Sequence, residues 1–219
     1  MKYIIIIALF ILTSVQANAQ KSVFEATLKY TITVRKTDNV KDSKPLQTAT
    51  YNLFIKGDLS RSDFNSGVGM ETAIYNTKTE KGIILKEYSA QKLMINLNKE
   101  DWLNQNQLFR NLKFNYEKEQ KNINGVMCKK ANASLDNGES LIVYYDPSLK
   151  LNNNEYSIAL PNIPGLPIQF QRGISGMTFE YTLSNINYEM VATNTFDYPK
   201  SGYRILTYKE AQNLKKGEK

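Results

Sequence analysis

The residues that could do chemistry in this chain are few. Its 219 positions hold one cysteine, 21 carboxylates and no histidine. Carboxylate pairs are the one remaining route to general acid–base work. Asp63 with Glu71, or Glu100 with Asp101, could be set up as a glycosidase-like couple. Nothing in either spacing fixes the separation such a couple needs, and adjacent acids at a helix start are already explained by the helix dipole. Without histidine there is no Ser-His-Asp triad, no Cys-His dyad and no His-ligated zinc or iron. The lone Cys128 builds neither a thiolate cluster nor an internal disulfide, and it reads as a small buried hydrophobe. The expectation is a protein that is not an enzyme and uses no cofactor or metal.

What the chain has in quantity is amphipathic strand. From Phe24 to Arg35 the even positions are Phe24, Ala26, Leu28, Tyr30, Ile32 and Val34, and the odd ones are polar. Strict period-two alternation of that length predicts a long strand with one buried and one wet face. Alternation resumes at Ala49, Tyr51, Leu53 and Ile55. Lys56-Gly57-Asp58, the turn around Lys81-Gly82 and Asp136-Asn137-Gly138 punctuate further short strands. Leu112, Phe114 and Tyr116 are expected on one strand face, and Met177, Phe179, Tyr181 and Leu183 on another. Asn98 caps a short helix running to about Gln107, and Lys209–Leu214 forms a terminal one. Ten to twelve strands with so little helix predict an all-β fold, a curled antiparallel sheet or half-barrel, since open twisted sheets seldom stay flat beyond about ten strands.

The first 19 residues are expected to be a signal peptide. Lys2 precedes an apolar run from Tyr3 to Leu12, and Ala17-Asn18-Ala19 offers a small-x-small cleavage site. The run is shorter than the roughly 20 residues of a membrane span, and no cysteine stands near the cleavage region to be acylated. Residues 20–219 are then one β-rich domain, periplasmic or secreted. Losing Lys2, the only charge in the leader, takes the net charge from +7 to +6. The remaining charge is dispersed, which argues against nucleic acid and leaves peripheral contact with anionic lipid open.

Several segments resemble the GLPGLI family of exported bacterial proteins. Ile163-Pro164-Gly165-Leu166-Pro167-Ile168 is a variant of the namesake motif, departing from it at Ile163 and Pro167. Lys121–Ala131, Leu141–Leu149 and Phe196–Gln212 are similar to the family's flanking strands and closing segment, in the right order. The resemblance implies the LolA-like half-barrel of periplasmic lipoprotein carriers. It brings no activity with it, because the family is uncharacterised.

The expected function is that of a non-catalytic cell-envelope protein. A lipid or other apolar molecule would lie on the concave face, lined by Leu28, Tyr30, Ile32, Tyr51, Leu53, Ile55, Phe114, Tyr116, Phe179 and Tyr181. Pro164, Gly165, Leu166 and Pro167 would form either a rigid lip over the mouth or a crossover plugging the open end with Ile163 and Leu166. Alternation names the inward residues but is the same for a hollow and a filled interior. A filled one would suit a second reading, a monomeric module that binds another envelope protein. A carboxylate-dependent hydrolase is the third.

Overall fold

The computed structural model describes residues 20–36, 47–135, 139–174 and 176–217. The leader up to residue 19, residues 37–46 between the first two alternating runs, and the Asp136-Asn137-Gly138 turn lie outside them.

The long alternating run forms β2 (Glu25–Lys36), preceded by the short β1 (Lys21–Val23). A meander follows through β3 (Gln47–Lys56), β4 (Leu59–Ser66), β5 (Gly69–Asn76), β6 (Lys81–Tyr88) and β7 (Gln91–Leu97). Helices α1 (Lys99–Gln105) and α2 (Gln107–Arg110) interrupt it. Strands resume as β8 (Asn115–Ile123), β9 (Val126–Ser134), β10 (Ser140–Asp146), β11 (Leu149–Leu151), β12 (Leu166–Ile174) and β13 (Met177–Asn187). A 3-10 turn (Thr193–Phe196), β14 (Arg204–Thr207) and α3 (Tyr208–Gly217) close the chain.

Twelve of these strands hydrogen-bond into one sheet, in the order β14-β7-β6-β5-β4-β3-β2-β13-β12-β10-β9-β8. Two pairings depart from an all-antiparallel sheet: β14 lies parallel to β7, and β1 parallel to β11 in a separate two-stranded piece. The first departure has a topological cause. β13 ends beside β2 in the middle of the sheet, whereas β14 sits at the far edge. The chain between them crosses the outer face, where Val191 and Phe196 pack on Ile74, and Tyr198 and Tyr203 pack by Ile83, Leu85 and Met94. A strand delivered by a crossover is free to run parallel to its neighbour.

Local chemistry explains the turns. Asn124 and Gly125 both have positive φ at the β8–β9 reversal, as a two-residue hairpin loop requires. The turn expected at Lys81-Gly82 falls earlier, at Thr77–Glu80, where the Asn76 side chain accepts from the Lys78 and Thr79 amides at 2.9 and 3.0 Å. Gly82 belongs to β6 and serves a different need. A Cβ there would stand 2.9 Å from Tyr75 Cδ2 and 3.2 Å from Trp102 Cε3, so its bare backbone is the flat spot over which Trp102 lies. Asn98 caps α1 as expected, in a reciprocal box with Asp101.

Candidate ligand-binding site

The sheet has an inner face, carrying Leu28, Tyr30 and Ile32 on β2, and an outer face. The β2–β3 register puts Leu53 opposite Leu28 and Tyr51 opposite Tyr30, and the β13 register puts Tyr181 opposite Ile32. These alternating faces meet as the sequence predicts, but they meet a filled interior. Leu28, Tyr30, Ile32, Tyr51, Leu53, Ile55 and Tyr181 are all buried, and Phe179 is half-buried against the same cluster. The filling is the chain itself: Tyr156, Leu160 and Ile163 from the irregular segment after β11, with Phe109 of α2 and Leu112. Over β2, β3, β10, β12 and β13 the expected ligand face is therefore core.

Polar tips inside this core are tied down. Tyr30 donates from its hydroxyl to the Pro167 carbonyl at 2.9 Å, and the Ser62 and Ser157 hydroxyls share a hydrogen bond of 2.7 Å with Tyr51 close by. Phe170 and Tyr181 stack at 4.4 Å. Two expected residues fall elsewhere. Phe114 precedes β8 and is half-buried, and Tyr116 is 54% exposed at the β8 edge, where its hydroxyl donates to the Asn162 carbonyl at 2.6 Å. β8 is the last strand of the sheet, so the ring meets Tyr145 edge-on at 6.5 Å and is otherwise open to water.

The proline segment packs inward. Ile163 and Leu166 are buried in the core cluster, Pro167 is buried on β12, and Pro164 alone of the four expected lip residues is exposed. Gly165 passes so close to β10 that an added Cβ would lie 2.2 Å from the Asp146 carbonyl oxygen. Glycine is needed there for backbone approach, and its dihedrals are secondary.

The chemical candidates separate. Asp63 pairs across the β4–β5 ladder with Thr72, and Glu71 pairs with Phe64, so the two carboxylates point to opposite faces. Asp63 is engaged by Arg61 at 2.9 Å and by the Thr72 hydroxyl at 2.7 Å. Asp101 accepts from the Asn98 amide as half of the capping box, and Glu100 stands beside it in the first turn, where the helix dipole favours an acid. Cys128 is fully buried, and burial, then the nearby Asp146 charge, pushes its thiol up to about 11. Native protein is expected to leave a thiol reagent such as Ellman's untouched at neutral pH, with one equivalent reacting in denaturant. Rapid labelling of the folded chain would contradict this placement.

Open space occurs where the plug ends. On the inner face, beyond Trp102, a cleft of about 920 Å³ lies between the β6–β7 hairpin, β14 and α3. Leu93 and Ile95 on β7 and Ala211 and Leu214 on α3 give it an apolar floor, and Tyr88 stands at its edge. Burial and then Glu71 push the Tyr88 phenol up to about 12. A second cavity, of about 740 Å³, lies mainly on the outer face between Leu59, Ile74, Ile83, Phe196 and Tyr198. Sequence reading missed the inner cleft, because its wall is built by β14 and α3 folding back from the far end of the chain. The one local signal was the apolar spacing of Ala211 and Leu214 in the terminal helix.

No family model matches the chain, and no curated protein matches it. Among solved structures it is similar to PNGF-II in two crystal forms. In one the TM-score is 0.51 at 11% identity, covering 88% of this chain and 33% of that one. In the other the TM-score is 0.50 at 15% identity, covering 84% and 32%. An uncharacterized conserved protein from Thermus thermophilus aligns with a TM-score of 0.47 at 10% identity, over 82% of this chain and 90% of its own. The chain thus spans about a third of the length of the PNGF-II chains it matches. At these identities the likeness is one of fold, a large curled β-sheet. No helix among the described residues is long and apolar enough to cross a membrane.

Proposed function

We propose that the protein is a non-catalytic, exported component of the bacterial cell envelope, akin to the GLPGLI group, that holds a lipid or other apolar molecule on the inner face of its curled sheet. The observation that carries this reading is the inner-face cleft of about 920 Å³, floored by Leu93, Ile95 and Leu214 at the point where the protein's own plug stops. Its volume falls at the upper end of the usual range for small-molecule sites, and such sites are mostly apolar with a few placed polar groups. Burial of an alkyl chain there supplies roughly 25 cal/mol per Å² of apolar area before ordering costs. Native purification followed by solvent extraction and mass spectrometry tests it. A stoichiometric apolar species is expected; a protein that emerges empty and ignores added lipids would sink the reading.

The filled core over β2 and β3 also supports a second reading, a module that binds another envelope protein. Phe24, Tyr188 and Met190 are exposed apolar side chains. Their segments are held at one end of the sheet by the Val191 amide on Glu25, at 2.7 Å, and by Lys21 over the Tyr188 ring, at 4.7 Å. Cross-linking in the native envelope separates the two, since the module requires one stoichiometric protein partner.

A further inference from the structure

The inner-face cleft combines its apolar floor with charge of one sign. Four cationic residues line it, Lys86, Lys92, Arg204 and Lys215, and no carboxylate does. Two of the four are already matched. Lys86 donates to Glu71 at 2.6 Å, and Lys92 pairs with Glu87 at 2.8 Å. Arg204 and Lys215 form no salt bridge among the described residues, and both stand at the open side of the cleft.

Their positions follow from the elements that close the cleft. Arg204 opens β14 directly opposite Leu93 in the parallel register. Lys215 lies one turn beyond Ala211 on α3, next to Leu214. Partial desolvation, and then the like charge of Lys86, hold the Lys215 ammonium below the ordinary lysine range, with Glu71 opposing. A bound anion would relieve that repulsion. A neutral occupant would shield these cations from water while pairing neither, which is unfavourable.

We propose that the occupant is a monomeric anionic amphiphile of fatty-acid type, its carboxylate met by Arg204 and Lys215 and its alkyl chain lying on Leu93, Ile95 and Leu214. This assignment rests on the apolar-ligand reading above and adds the chemistry of the head group. A recessed floor between a hairpin and a helix suits a single chain drawn out of a lipid phase better than contact with a flat membrane.

Calorimetric titration of delipidated protein with dodecanoate, dodecanol, acetate and phosphatidylglycerol vesicles tests the assignment. Dodecanoate is expected to bind about tenfold more tightly than dodecanol, and added salt should weaken only the acid. The double variant Arg204→Gln/Lys215→Gln should lose that tenfold preference through weaker binding of dodecanoate, with dodecanol binding at least as tightly as before. Both side chains are exposed, so its melting temperature should match the unmodified protein's. Equal binding of acid and alcohol before and after substitution would overturn the head-group assignment and leave the apolar-ligand reading standing. Failure of both would overturn that reading as well. Acetate binding as tightly as dodecanoate would mean a free-anion site, and capture by vesicles alone would mean a membrane surface; either result overturns the monomeric occupant.

Discussion

Trp102→Ala is expected to cost about 3–5 kcal/mol, the range for emptying a buried aromatic site. Trp102 is the only tryptophan, and just 1% of its surface is exposed. It stacks on Tyr75 at 4.4 Å with the rings nearly parallel, its floor is the bare backbone of Gly82, and its indole nitrogen donates to the Glu155 carbonyl at 3.0 Å. One side chain thus ties α1 to β5 and β6 and to the segment that fills the core. Domains are stable by only about 5–15 kcal/mol, so this loss is a large share of the total. Urea unfolding followed by far-ultraviolet circular dichroism measures it without needing the tryptophan. Trp102→Phe keeps an aromatic ring there and is expected to be milder. A cost below about 1 kcal/mol for the alanine variant would show that α1 is not anchored as described.

A steep loss of stability above pH 10 is the second large effect. Tyr30, Tyr51 and Tyr156 are buried in the core, and burial raises each phenol well above its ordinary value. In Tyr51 hydrogen bonds from Ser157 and Ser62 oppose the shift without cancelling it. An acid whose folded pKa is raised keeps its proton in the native state while the unfolded chain loses it. Stability is therefore intact below the unfolded value, near 10 for tyrosine, and falls as pH rises past it. Each such phenol contributes about 1.4 kcal/mol per pH unit in that window, so these three supply roughly 4 kcal/mol per unit, and the raised phenols of Tyr88, Tyr181 and Tyr203 steepen the loss further. Urea midpoints collected from about pH 9 to 12 would record it. Tyr156→Phe removes a hydroxyl that makes no hydrogen bond among the described residues. It should fold normally at neutral pH and reduce the slope by about 1.4 kcal/mol per pH unit. A flat profile would mean that these phenols reach water.

The sequence made the strands legible and left their layering obscure. Period-two alternation identifies β2 and β3 because every second side chain must leave water, and Asn98 with Asp101 announces α1 because a helix start needs those acceptors. Alternation is blind to what lies across the gap, since Leu28 and Tyr30 must be apolar whether they face a ligand or Tyr156. Tyr116 misleads for a related reason: an aromatic at an edge strand can fit the alternating pattern and still be exposed. Gly82 reads as a turn signal, and only the indole lying above it reveals a packing role. The cleft rests on Leu93 meeting Arg204 across a parallel pair, a contact between residues more than a hundred positions apart. No local pattern encodes that pairing, because the crossover from β13 is what delivers β14 to β7.

Photo-cross-linking with a diazirine-bearing fatty acid, followed by peptide mapping, locates the occupant on the protein. Adducts are expected on the β6–β7 hairpin and α3, at or beside Ala90, Leu93 and Leu214, lost when unlabelled dodecanoate competes. Adducts on Tyr30, Tyr51 or Leu53 would mean that the plug gives way and the ligand enters the core, which contradicts binding in the cleft.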